Sequence, residues 1–183
     1  MEYKIKKFDI TERDIIDDKY YSDDLIAPLW WSVSIYDGKE KYEADLARFT
    51  PAQRKVFAVI WFDSEVNNGG IDQFLFNSTG IVWEDALAGF KLIGADKCAE
   101  ILERVIEKCG GSIPFDREER QDMLEKITAD PDDEDECLDI FEEDDREYYD
   151  VNDDIDELIM NYAKAHASEF VFSGEVEVPA NFE

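Results

Sequence analysis

The stretch TPAQRKVFAVIWFDSEVNNGGIDQFLFNSTG, residues 50–80, reads as core and has sharply marked ends. Thr50 can cap a helix, Pro51 suits the first helical position because its missing N–H would find no partner there, and Gln53 can reach back to the cap backbone. From Val56 to Phe62 every side chain is apolar, so this helix is hydrophobic all round and belongs inside a ring of others. Asn67-Asn68-Gly69-Gly70 ends it, since glycine accepts the left-handed backbone of a helix terminus. The alternative is a β-hairpin, with VFAVIWF and IDQFLFN flanking Asn68-Gly69, a strong turn signal. The cap and the length from Pro51 to Val66 exceed what a strand uses and favour helix. Ile71, Phe74 and Leu75 then recur at helical spacing, predicting a short second helix stopped by Asn77-Ser78-Thr79-Gly80.

The run Glu65 to Gly80, with Ala86-Leu87 and Ile93-Gly94-Ala95 beyond it, resembles a bacterial DNA-mimic protein family, all-helical and of largely unknown function. Asn67, Asn68, Gly69, Gly70, Asp72, Gln73, Asn77 and Gly80 carry the signature, and the resemblance covers roughly residues 45 to 110. The family's characterised member is an acidic dimer that occupies the DNA-binding surface of a transcription regulator. The resemblance therefore implies a helical fold, a partner of that kind and a homodimer. The signature itself contains none of the acidic surface that mimicry uses.

Charge is the compositional anomaly: 47 acidic against 19 basic residues in 183, a net charge of −28. Residues 1–60 carry 12 acidic and 10 basic side chains, residues 61–129 carry 14 and 7, and residues 130–183 carry 21 and 2. A body so charged repels nucleic acid and anionic membranes, and its natural partner is basic. No stretch approaches the roughly 20 apolar residues of a membrane span, and MEYKIKKFDI lacks the apolar centre of a signal peptide, so a cytoplasmic location is expected. Cys98, Cys109 and Cys137 have no metal-ligand spacing and are read as buried free thiols.

Outside the central stretch, Thr11 with Asp14 predicts a helical turn to about Asp18. Leu25, Ile26, Leu29, Trp30 and Val33 predict a helix ending at Asp37-Gly38, with Pro28 starting or bending it, and a shorter helix runs from about Lys41 to Phe49. Trp83, Ala86, Leu87 and Phe90 mark a helix closed by Gly94, and Cys98, Leu102, Val105, Ile106 and Cys109 mark the next. Asp116 caps another, whose inner face is Met123, Leu124 and Ile127. Asp130-Pro131 marks a further helix start, and Asn152 is read as capping the last helix, with Ile155, Leu158, Ile159, Tyr162, His166 and Phe170 as its core stripe. Residues 3–8 and 175–178 are expected to pair as strands, with Lys4 and Lys6 near Glu175 and Glu177. The expected architecture is all-α: about eight helices around a central buried one, a minor terminal strand pair, and one domain over 1–183.

No sequence pattern marks an enzyme. His166, the only histidine, sits on an apolar stripe and is read as a packed core residue; no nucleophile, phosphate or dinucleotide motif is present, and no cofactor is expected. Asp150, Asn152 and Asp154 match the start of a calcium loop, but Ile155 stands where it needs glycine and Asn161 where it needs glutamate. Asn67, Asn68, Asp72, Gln73 and Asn77 are read as caps and backbone partners, the alternative being a small-molecule or enzymatic site around Asn67 to Asn77. Between Asp130 and Glu157 lie 17 acidic residues and one basic, Arg146. Were they one helix at about 1.5 Å per residue, its charge spacing would lie within a factor of two of duplex DNA. The partner-binding residues expected here are Asp132, Asp133, Glu136, Asp139, Glu142, Glu143, Asp145, Glu147, Asp150, Asp153 and Asp154. They would meet Lys and Arg of a basic DNA-binding protein and exclude DNA from it. The alternative partner is a basic nuclease toxin, which would make the chain an immunity or antitoxin protein.

Overall fold

A computed structural model of the chain describes residues 2–129, 138–152 and 154–182. Among them the order is β1 (Tyr3–Ile10), α1 (Glu12–Ile16), α2 (Ser22–Trp30), α3 (Lys39–Leu46), α4 (Pro51–Phe76), α5 (Trp83–Ile93), α6 (Asp96–Lys108), α7 (Arg117–Thr128), α8 (Glu142–Val151), α9 (Ile155–Ala165) and β2 (Phe172–Pro179). The fold is all-α with a two-stranded antiparallel sheet at its termini. Among the described residues, no helix is long and apolar enough to cross a membrane.

Helix α4 is the axis. Val56, Phe57, Ala58, Val59, Ile60 and Phe62 are all buried, because α2, α5, α7 and α8 pack around it. Its capping box forms as expected: Thr50 Oγ1 accepts from the Gln53 N–H at 3.1 Å, and Gln53 Oε1 accepts from the Thr50 N–H at 3.0 Å. The same two side chains reach across the fold. Thr50 donates to the Glu169 carbonyl at 2.6 Å and Gln53 Nε2 to that of Phe170 at 3.3 Å, fastening the C-terminal turn to the start of the axis.

The glycine pair breaks α4 into two limbs, with Gly70 at φ +80° and the short limb resuming at Ile71. The far end is held by Arg120, which is fully buried on α7. Its guanidinium donates to the carbonyls of Leu75 (2.9 Å), Asn77 (2.7 Å), Pro114 (3.1 Å) and Phe115 (2.8 Å). Two of these belong to the last turn of α4 and its cap, where the helix dipole is negative, so the buried cation meets partial negative charge in place of a carboxylate. Burial still lowers its pKa to about 10. A Cβ on Gly80 would lie 2.5 Å from Arg120 Nε, so only glycine leaves room for the clamp.

Several sequence expectations are corrected. Helix α2 stops at Trp30, and Val33 and Ile35 enter the core from the following loop, anchored where the Ser34 N–H donates to Asp45. The terminal strands do pair, but Lys4 faces Val178 and Lys6 faces Val176, while Lys7 is the residue opposite Glu175. Directly paired residues share a face, so Phe8, Val176 and Val178 bury one side and Glu175 and Glu177 occupy the other. Asp154, not Asn152, occupies the cap position of α9. His166 lies exposed beyond the end of α9, stacked on Tyr162 and 3.3 Å from Glu169, because the apolar stripe ends at Ala163 before Phe170 resumes it. Cys98 and Cys109 are buried free thiols whose pKa values burial pushes up to about 11; Cys137 lies outside the described residues.

Candidate functional site

The acidic segment is anchored through α8. On its inner side Phe141 and Tyr148 are fully buried, and Tyr148 packs edge-on against Phe62 of the axis. The Tyr148 hydroxyl donates to Asp63 Oδ1 at 2.8 Å, and Tyr149 donates to the Val66 carbonyl at 2.9 Å. Burial beside the Asp63 carboxylate raises the Tyr148 hydroxyl pKa, keeping the donor protonated. Asp144, which is 2% exposed, accepts from Arg104 at 3.1 Å and Lys108 at 2.5 Å on α6. A buried carboxylate thus mounts the helix, and nothing in its sequence neighbourhood separates it from the acids beside it.

The acids expected from the sequence to meet a partner stand in different states. Glu142, Glu143 and Asp150 are exposed on α8, Asp139 precedes it and Asp154 follows it. Glu142 pairs with Arg146 at 2.8 Å and Glu147 with Arg104. Asp145 turns inward, where its Oδ1 accepts from the Ile71 N–H at 2.8 Å, capping the second limb of α4. Asp132, Asp133 and Glu136 lie outside the described residues, as does Asp153. Segment 130–157 is therefore not one long helix where it is described: residues 138–141 precede α8, and a break at Asn152 separates α8 from α9.

Beside α8 lies a cleft of about 700 Å³ between the kink of α4, the outer face of α7 and residues 138–141. Five of its lining side chains are carboxylates: Asp72, Asp122, Glu125, Asp139 and Asp145. Phe76 and Leu138 expose apolar surface at its wall. Desolvation, with Asp139 nearby, raises the pKa values of both Asp72 and Asp145. Asp122 and Glu125 escaped sequence reasoning because they belong to α7, remote in the chain from the acidic run. No group of three or more His, Cys, Asp or Glu side chains among the described residues is arranged to hold a metal ion.

The signature residues form two hydrogen-bonded groups. On one side of the kink Asn67 Nδ2 donates to Asp63, and Asn152 Nδ2 donates to both Asp63 (3.2 Å) and Asn67 (2.9 Å), linking the axis to the end of α8. On the other, Glu65 Oε1 accepts from Gln73 Nε2 at 2.8 Å and Asn77 Nδ2 at 2.7 Å. A Cβ on Gly69 would sit 2.1 Å from Gln73 Oε1, and one on Gly70 2.6 Å from Asp145 Oδ2. The two glycines therefore admit two different side chains, one from each direction.

The model of the DMP19-like protein family matches residues 47–166. The chain belongs to that family. The DMP19-like match runs from the end of α3 through α9, beyond the stretch in which the resemblance is legible by eye, and takes in α8, the cleft and both signature groups. The terminal strands and the first three helices lie outside it. No curated protein and no solved structure matches the chain significantly.

Proposed function

We propose that this DMP19-like protein binds the basic DNA-binding surface of another protein and denies it to DNA. Family membership supports the class. The observation that carries the surface is the mounting of α8: its inner side is fixed by Phe141, Asp144 and Tyr148, so its outer carboxylates hold fixed relative positions. Fixed carboxylates present acceptors to Lys and Arg without the ordering cost a mobile acidic tail would bear. Glu142, Glu143, Asp150 and Asp154, with Asp139 at the cleft, are the residues that meet the partner. Glu147 is shared with Arg104, and Asp145 serves the fold.

The test is capture of partners from native cytosol at low salt, followed by elution with duplex DNA. Elution by DNA and steep weakening with salt are expected, since exposed charges are screened over about 10 Å at 0.1 M. Joint replacement of Glu142, Glu143, Asp150 and Asp154 by Lys should abolish the complex with helical content unchanged. A salt-insensitive complex that survives those replacements would overturn the reading.

A further inference from the structure

The Glu65 group has no part in the acidic face. Both amides that hold its carboxylate bond Oε1, and Oε2 accepts no hydrogen bond among the described residues. Glu65 lines a cavity of about 210 Å³ together with Trp61, Asn77, Ser78, Arg117 and the Ile35-Tyr36 loop. Arg117 donates through Nε to the Phe76 carbonyl, 3.1 Å away, and its two terminal nitrogens have no hydrogen-bond partner among the described residues. The Ser78 hydroxyl is also unpartnered among them. A second cavity of about 300 Å³ shares Ile35, Tyr36, Ser78 and Arg117 in its lining and is bounded also by Phe115.

We infer that this cavity is a binding site for a small zwitterion of the α-amino acid class. Its ammonium meets Glu65 Oε2, its carboxylate meets Arg117 and the Ser78 hydroxyl, and its side chain lies along Ile35 and Tyr36. One negative and one positive side chain in the same small cavity select a ligand bearing both signs, whereas a simple cation is repelled by Arg117 and a simple anion by Glu65. The two amides hold the Glu65 carboxylate in one orientation, so little ordering remains for a ligand to impose. The volume suits a molecule well below drug size, for which pockets run about 300–1,000 Å³. Tyr36, 73% exposed, stands at the rim where a ligand would enter.

The experiment is a panel of free L-amino acids titrated against the full chain, read by melting temperature and by tryptophan fluorescence, since Trp61 lies in the wall stacked on Trp30. At least one should give a saturable rise in melting temperature. Arg117→Ala, on an exposed residue, should weaken it about tenfold or more, and Glu65→Gln should abolish it. Circular dichroism of both variants checks folding; should Glu65→Gln fail to fold, Arg117→Ala alone decides. No saturable response from any amino acid, or binding unchanged in Arg117→Ala, overturns the assignment. Because a zwitterion carries no net charge, its binding should depend far less on salt than that of a basic protein, which keeps this result separate from the acidic face.

Discussion

Adjacent glycines in Asn67-Asn68-Gly69-Gly70 serve two different ends, and the difference predicts unequal costs. Gly70 lies at φ +80°, where any Cβ is strained, and that Cβ would also collide with the carboxylate of Asp145. Gly69 lies at φ −165°, a conformation open to every residue, and the nearest atoms to its added Cβ belong to the end of the flexible Gln73 side chain, which would shift at the expense of its bond to Glu65. Gly70→Ala should therefore lower stability by about 2–4 kcal/mol and Gly69→Ala by about 1 kcal/mol or less, measured by denaturant unfolding. Equal losses would mean that the kink is not held by its left-handed residue. Asp145→Ala removes the cap on the Ile71 N–H and should cost about 1 kcal/mol, although it also deletes one of many repelling charges.

At the scale of one helix, α8 is a charged element whose buried attachments are one acid, Asp144, and two aromatic rings, Phe141 and Tyr148, with hydrogen bonds made by Asp145, Tyr149 and Asn152 beside them. Asp144→Ala leaves Arg104 and Lys108 without that carboxylate, and because both cations are partly exposed the expected loss is about 1–3 kcal/mol. Asp150→Ala, a few residues away on the exposed face, should change stability by no more than about 0.5 kcal/mol. Partner binding should reverse that order for charge reversals on the outer face, which leave the mount intact. Tyr148→Phe deletes the 2.8 Å bond to Asp63 and should cost about 1 kcal/mol without disturbing the ring packing.

For the molecule as a whole, a net charge of −28 opposes the compact state through self-repulsion, so added salt should raise the melting temperature. The pH dependence has a different first cause. Asp23, Asp72 and Asp145 have pKa values raised above 3.8, in each case first by loss of water, so their native states hold protons that the unfolded chain releases. Stability from these groups rises as pH falls through their native pKa values toward the unfolded value of about 4. Glu43, lowered by its bond to Arg54, works the other way: its contribution is present above the unfolded pKa and is lost as pH falls through its native one. The raised groups act first on descending from neutrality, so the melting temperature should increase as pH is lowered toward the unfolded carboxylate value of about 4 and decline only below. A monotonic fall from pH 7 would contradict this.

Local chemistry in the sequence was enough to specify the axis, because a capping box, an apolar run and a glycine stop act within a few residues of one another. The same held for the caps at Thr11 and Asp116 and for the glycine stop at Gly94, each satisfying backbone groups of its own helix. The resemblance, too, was readable, since the signature is a contiguous run. What carboxylates do was not readable, because an aspartate's role depends on what faces it. Tertiary packing made Asp144 a buried mount, Asp145 a cap for a turn distant in sequence, and Glu142 a solvent-facing charge, although all three lie within four consecutive positions. Packing also sent His166 to the surface, brought Asp122 and Glu125 to the cleft, and set Arg117 and Glu65 in the lining of one cavity. Backbone hydrogen bonding is satisfied locally and leaves its mark in sequence, whereas desolvation and charge pairing are settled by whichever distant element the fold brings near.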